Sequence, residues 1–246
     1  MTSLTVSIPA YNDAPTLPAI VADSLALTAA LGIPVEVLLI DDGSRDDTPA
    51  VCQTLADQSP RVRVLTHPEN LGFGPTIREA YLVPRTEWVV FLPGDGQIPA
   101  AEIERLWQAT ESAGDRPYDL VLAVRAQRND PWRRRFVSGC YNGMVSLVAR
   151  RRIHDVNGTA LVHRRLLRRI ALEGRSAFIH AELVLEAMRA GANYREVTIA
   201  HRAREHGSGS GNRPRVIAAT FRDLLRYALG MRGARHATEA AVEEAG

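Results

Sequence analysis

Five stretches in the first half of the chain are apolar with little polar alternation: Thr5–Pro9, Val35–Ile40, Val62–Thr66, Trp88–Leu92 and Leu120–Val124. Runs of this kind fit strands covered on both faces, as in a parallel sheet. Between them lie segments with helical signals, from about Thr16 to Leu31 with Gly32 as stop, Pro49 to Gln58, Pro75 to Leu82 and Ala100 to Ala113. Proline in the first turn and glycine past the last are the expected punctuation. Strand–helix alternation predicts βαβ units and an α/β fold with a mainly parallel central sheet and helices on both faces.

The second half changes character. Amphipathic helices are expected over Phe136–Val148, Ala181–Ala190 and Val216–Leu229, a basic helix over Arg164–Ala171, a turn or short strand over Ile153–Gly158, and a strand over Tyr194–Ala200. The organisation expected is a single domain, 1–232, of two halves, 1–125 and 126–232, followed by a disordered tail, 233–246.

Ligands of open α/β sheets bind beyond the carboxyl ends of the strands. Three such ends here are polar: Ala10-Tyr-Asn-Asp13, Asp41-Asp-Gly-Ser44 and Pro93-Gly-Asp-Gly-Gln97. Any one of them reads equally well as a turn that caps a helix; their recurrence is harder to assign to capping alone. The acids of the second loop can accept from a base N–H or a ribose hydroxyl. Asp95 and Gln97 form an oxygen-donor pair suited to Mg²⁺ or Mn²⁺ shared with a phosphate. No GxGxxG follows the first strand and no GxxxxGK[ST] occurs, which argues against an ordinary dinucleotide fold and a P-loop nucleotidase.

Charge sharpens the picture. The net charge of the 246 residues is +2, yet residues 125–175 hold 13 arginines against three acids, and all 30 basic residues are arginine. Clustered arginine suits a bidentate grip on phosphate, or an anionic membrane surface. Nucleic acid is not expected, because no aromatic residues interleave with the arginines as a stacking platform. The loop His201-Arg-Ala-Arg-Glu-His-Gly-Ser-Gly-Ser-Gly211 can close over a phosphate through Arg204, His206, Ser208 and backbone N–H groups, or serve as a plain linker. No apolar run reaches the roughly 20 residues that span a bilayer. The N-terminus lacks a secretory pattern, and Cys52 and Cys140 lack metal spacing, so a cytoplasmic protein, at most peripheral at the membrane, is expected.

Together the motifs resemble glycosyltransferase family 2. Val6-Ser-Ile-Pro-Ala-Tyr-Asn-Asp13, Leu39-Ile-Asp-Asp-Gly-Ser-Arg-Asp-Asp-Thr48, Asn70-Leu-Gly-Phe-Gly-Pro-Thr-Ile-Arg78 and Phe91-Leu-Pro-Gly-Asp-Gly-Gln97 match its successive donor motifs. Val124-Arg125, Arg133-Arg-Arg-Phe-Val-Ser138, Asp155-Val-Asn157 and His201–Ser208 resemble its polyprenyl-phosphate (dolichyl-phosphate) mannosyltransferase branch. The resemblance implies the A-type glycosyltransferase fold and an inverting, metal-dependent transfer of a sugar, mannose or glucose, from a GDP- or UDP-linked donor to a polyprenyl phosphate. It implies that Pro9, Tyr11, Asp13, Ile40 and Asp42 hold base and ribose, and that Gly94, Asp95 and Gln97 hold metal and diphosphate. Arg125, Arg134 and Arg204 would contact phosphates, with Asp95, Asp155 and Arg125 as the catalytic set.

Three departures stand out. Pro93 occupies the place of the family's first metal-motif acid, which predicts looser metal dependence. Asp13 replaces the usual glutamate, and Gly158-Thr-Ala160 replaces a segment near the expected acceptor. An anionic phosphate acceptor needs no general base. An alcohol would need one, and Asp155 and Glu182 are the candidates. Competing readings are transfer of the same sugar to a soluble hydroxylated acceptor, and a non-catalytic nucleotide-sugar-binding protein.

Overall fold

The computed structural model describes residues 2–111, 116–126, 132–202 and 214–231, with backbone alone for residues 111 and 132–135. The expected disordered tail and most of the 201–211 loop lie outside the described residues.

The elements run β1 (Leu4–Ala10), α1 (Leu17–Leu31), β2 (Val35–Asp41), α2 (Thr48–Gln58), β3 (Val62–Thr66), α3 (Phe73–Leu82), β4 (Trp88–Phe91), α4 (Glu102–Glu111) and β5 (Leu120–Arg125). They continue with α5 (Trp132–Ala149), β6 (Ala160–His163), α6 (Arg164–Leu167), α7 (Ile179–Arg189), β7 (Tyr194–Ile199) and α8 (Pro214–Ala228). The seven strands form one sheet in the order β3-β2-β1-β4-β6-β5-β7. β1 pairs in parallel with both β2 and β4, so strand order reverses at β1 and opens a crevice at its carboxyl end.

The apolar runs are strands because both sheet faces are covered. On one face Leu4, Val6, Ile8, Val37 and Val90 pack with residues of α1 and α4 such as Leu17, Val21, Ile103 and Leu106. On the other, Val89, Phe91, Leu122 and Val162 pack with Ile77, Tyr141, Val145 and the α7 residues Ala181 and Val184. β4 supplies alternate residues to the two clusters, which accounts for its unbroken apolar sequence.

Two local expectations are corrected, and of the turn or short strand expected over Ile153–Gly158 the turn is found. β6 was not anticipated: four residues inserted antiparallel between β4 and β5, too short to leave a periodic signal. The basic helix expected over Arg164–Ala171 is one turn, Arg164–Leu167. Ile153–Gly158 contains no strand but a turn leading into β6. That turn is packed tightly. A Cβ at Gly158 would stand 1.9 Å from the Ala123 carbonyl oxygen of β5, and Thr159 donates its hydroxyl to the Phe91 carbonyl of β4. Gly158-Thr-Ala160 thus joins the sheet. Glycine is required because the neighbouring strand's backbone occupies the space of a side chain.

Candidate functional site

The carboxyl ends of β1, β2 and β4 are tied to one another by hydrogen bonds. After β1, Asn12 adopts φ 56°, a left-handed turn that asparagine tolerates. Its N–H donates to Ser44 Oγ (3.0 Å) and its Oδ1 accepts from the Arg45 N–H (2.8 Å). The Asp13 N–H donates to Thr48 Oγ1 (3.0 Å), and Asp13 Oδ2 accepts from the Tyr11 N–H (3.1 Å). After β4, the Gly94 N–H donates to the Pro9 carbonyl (3.2 Å), while Thr16 Oγ1 donates to the Gly94 carbonyl (2.5 Å). A Cβ on Gly94 would lie 2.9 Å from the Pro9 oxygen and 3.4 Å from Asp13 Oδ2. The 93–97 loop can therefore seat on the β1 loop only through a glycine, which sets Gly94, next to Asp95, against Asp13.

Asp95 Oδ1 accepts from the Gln97 N–H (3.1 Å), a tight local turn. Gln97 is bonded to the exit of β7: its carbonyl accepts from the Arg202 N–H (2.8 Å), and its Nε2 donates to the Arg202 carbonyl (3.4 Å). The side-chain oxygen, Oε1, is left as the atom suited to a cation. Among the described residues no three His, Cys, Asp or Glu side chains gather as a self-sufficient metal cage. Asp95 with Gln97 instead fits the open arrangement of a Mg²⁺ or Mn²⁺ site, in which phosphate oxygens and water complete the shell.

The two acids after β2 behave differently. Asp42 is engaged on both oxygens: Oδ1 pairs with His67 Nδ1 (2.8 Å) and accepts from the Leu71 N–H (2.8 Å), and Oδ2 accepts from the Gly72 N–H (3.0 Å). Asp41 Oδ1 accepts from the Ser44 N–H (3.1 Å), but its Oδ2 is buried without a hydrogen-bond partner. A buried carboxylate oxygen without a hydrogen bond is costly to the fold. Asp41 lines a cavity of about 290 Å³ together with Ser44, Arg45, His67, Glu69 and Asn70. Ile40 is fully buried, packed with Leu38 and Ala80, and does not line this cavity. Tyr11 is exposed.

At the end of β5, Arg125 grips Asp155. Nε meets Oδ2 at 2.7 Å, Nη2 meets Oδ1 at 2.9 Å, and the Arg125 backbone N–H adds a third bond at 3.3 Å. Glu182 Oε2 accepts from the Glu173 and Gly174 N–H groups at 2.8 and 2.7 Å, anchoring the loop before α7. His180 lies between the rings of Phe73 and Phe91, with centroids 5.3 and 5.4 Å away. Burial and the nearby Arg125 charge push its imidazole down to about 4 against the opposing pull of Asp155. Arg204, His206 and Ser208 lie outside the described residues, as does the side chain of Arg134.

Sequence reasoning did not single out His67, Glu79 or His180. His67 had a signal: it follows β3 directly, at the same sheet edge as the other loops. Glu79 and His180 had none, being helix residues brought in by packing.

The model for "Glycosyl transferase family 2" matches residues 5–174. The chain belongs to this family. Among curated relatives, it is 30% identical over 226 residues to the undecaprenyl-phosphate 4-deoxy-4-formamido-L-arabinose transferase of Pseudomonas syringae pv. syringae (strain B728a), covering 90% of this chain and 64% of that protein. Identity to the enzyme of the same name from Serratia proteamaculans (strain 568) is also 30%, over 90% of this chain and 66% of the relative. The chain thus spans just under two thirds of the length of these relatives. Among solved structures, it superposes on glucosyl-3-phosphoglycerate synthase from Mycobacterium tuberculosis, in complex with Mn²⁺, uridine diphosphate and glucosyl-3-phosphoglycerate, with a TM-score of 0.73 and 16% identity over 95% of this chain and 82% of that one. This likeness establishes the A-type glycosyltransferase fold of this family 2 member.

Proposed function

We propose that this family 2 member is an inverting glycosyltransferase that moves a sugar from a nucleotide diphosphate sugar to a polyprenyl phosphate. The observation that carries the donor half is the seating of Gly94 on Pro9 and Asp13, which holds the Asp95–Gln97 turn against the loop after β1. In this reading the base and ribose dock at the ends of β1 and β2, held by Pro9, Tyr11, Asp13, Ile40 and Asp42. The diphosphate lies over Gly94, Asp95 and Gln97. A Mg²⁺ or Mn²⁺ held by Asp95 and Gln97 would neutralise charge growing on the leaving diphosphate. The acceptor attacks from the opposite face of the anomeric carbon.

The acceptor half rests on what Asp155 and Glu182 already hold. Asp155 is gripped by Arg125 through both oxygens, and Glu182 by two backbone N–H groups. Neither is placed as a ready general base, and a phosphate acceptor, already anionic, requires none. Arg125, with Arg134 and Arg204 from the adjoining segments, supplies positive charge to position it. The relatives' names specify undecaprenyl phosphate and a formamido-arabinose. The sugar here, mannose or glucose on the sequence resemblance, and the base, guanine or uracil, are matters for a donor panel.

A lipid acceptor also accounts for an otherwise odd surface. Among the described residues no helix is long and apolar enough to cross a membrane. Yet α5 exposes a stripe of Phe136, Met144 and Leu147, the last 78% exposed, on the side away from its buried Tyr141 and Val145. Neighbouring α8 exposes Leu225 and Leu229 among Arg215, Arg222 and Arg226. Apolar side chains flanked by arginine suit peripheral contact with an anionic bilayer.

The test is product formation by the purified protein with Mg²⁺ or Mn²⁺, a panel of GDP- and UDP-sugars that includes mannose, glucose and 4-deoxy-4-formamido-L-arabinose, and a short-chain polyprenyl phosphate. Sugar label entering the organic phase is the expected result. Label transferred only to an aqueous acceptor overturns the acceptor, and donor binding without turnover on any acceptor overturns the enzyme.

A further inference from the structure

His67 lies between two carboxylates. Its Nδ1 is 2.8 Å from Asp42 Oδ1 and its Nε2 is 2.6 Å from Glu79 Oε2. The ring is buried, at 6% exposure. A neutral imidazole carries one N–H and can donate to only one of these acids, whereas the imidazolium donates to both. Burial by itself pulls the ring toward neutrality, but hydrogen bonds and charge from Asp42 and Glu79 outweigh it and hold its pKa above the ordinary 6.5.

The bridge does not stop at Asp42. The same carboxylate accepts from the N–H groups of Leu71 and Gly72, and the Asp42 carbonyl accepts from Asn70 Nδ2 at 3.0 Å. Three successive residues, 70–72, therefore hang from Asp42. The orientation of Asp42 is fixed by His67, and His67 is fixed in turn by Glu79 of α3. His67, Glu69 and Asn70 also line the cavity that holds Asp41. The charged groups around His67 are Asp41 and Asp42 from the end of β2, Glu79 from α3, Glu69 from its own loop, and Arg45 across the cavity lining.

We propose that His67, with a proton on each ring nitrogen, is a positioning residue of the nucleotide pocket: it locks Asp42 between α3 and the 70–72 backbone and so holds the end of β2 at which the base docks. This rests on the donor reading above. Because the bridge needs both protons, it is complete below the raised pKa and lost as the pH rises through it.

Two measurements on the full chain test the clamp. Calorimetry with UDP and with GDP, each with Mg²⁺, between pH 6.5 and 9 reads the pocket. Wild type is expected to lose about tenfold in affinity for the preferred nucleotide over that range, the size of one charged hydrogen bond. His67→Gln is expected to start about tenfold weaker and to show no such slope, with Glu79→Gln lying between. Amide-exchange protection factors at Leu71 and Gly72 in the free protein read the loop itself, and should fall in both variants while those of β1 hold. Unchanged protection, or lowered protection with wild-type nucleotide affinity and slope, overturns the proposal. A wild type that binds neither nucleotide overturns the donor reading, and the protection factors then decide the clamp alone. Should His67→Gln fail to fold, Glu79→Gln carries the same readouts from a half-exposed position.

Discussion

Arg125 holds Asp155 in a fork of two hydrogen bonds, 2.7 and 2.9 Å long, joining the end of β5 to the turn before β6. The Arg125 side chain is 11% and Asp155 5% exposed, so the pair is largely desolvated. Planar bidentate pairing fixes the guanidinium plane, which a single contact would leave free to rotate. Asp155 thus fixes the orientation of the Arg125 guanidinium.

Asp155→Asn should leave Arg125 buried with half its partner, at a stability cost on the order of 3 kcal/mol. The kcat should fall at least tenfold, matching Arg125→Lys, while the acidic limb of the pH–rate profile stays where it is. Steady-state kinetics across pH checks this. Loss of the acidic limb in the variant would make Asp155 a base and favour an alcohol acceptor.

The donor side of this arrangement was legible in the sequence, and the reason is topological. Strands β1, β2 and β4 are buried on both faces, so their runs are unmistakable, and the parallel order places every strand-end loop at one edge. The acceptor side was not, because β6 is short and antiparallel and its neighbour Gly158 is dictated by an Ala123 carbonyl from a distant strand. The different hydrogen bonding of Asp41 and Asp42 was equally hidden. Adjacent residues on a strand end point to opposite sides, and only the 70–72 backbone and His67 decide which carboxylate is occupied.

Asp41 and Asp42 should therefore respond differently to the same change. Asp41→Asn relieves a buried acceptor without a partner, so its melting temperature should hold or rise. Asp41 Oδ2 has almost no solvent-facing surface, so nucleotide affinity should stay near that of wild type. Asp42→Asn cannot receive both backbone N–H groups and His67, and should lose stability by about 2 kcal/mol. Thermal melts and nucleotide titrations of the two variants separate the roles.

Pro93 is partly exposed at the start of the metal-motif loop, beside Gly94 and Asp95. Pro93→Asp adds a second carboxylate to a donor set of one acid and one amide. Since affinity for hard cations rises with ligand charge, the Mn²⁺ concentration giving half-maximal activity should drop about tenfold. An activation curve identical to wild type would place the metal elsewhere.

His180 gives a pH dependence whose sign is opposite to that of His67. Its folded pKa is depressed to about 4 from 6.5, chiefly by burial and then by Arg125. The unfolded chain therefore binds more protons than the folded one between these values, and stability falls as the pH drops from 6.5 toward 4. The ceiling on this loss is about 3 kcal/mol, taking 1.36 kcal/mol per unit. His180→Phe keeps an aromatic ring between Phe73 and Phe91 and removes the titration. Chemical denaturation at pH 7 and pH 5 should show wild type losing stability between the two, and the variant losing less by a margin on the order of 2 kcal/mol. Equal losses would mean that the wild-type ring takes up its proton within the fold, and that the crevice beside Arg125 is wetter than its packing implies.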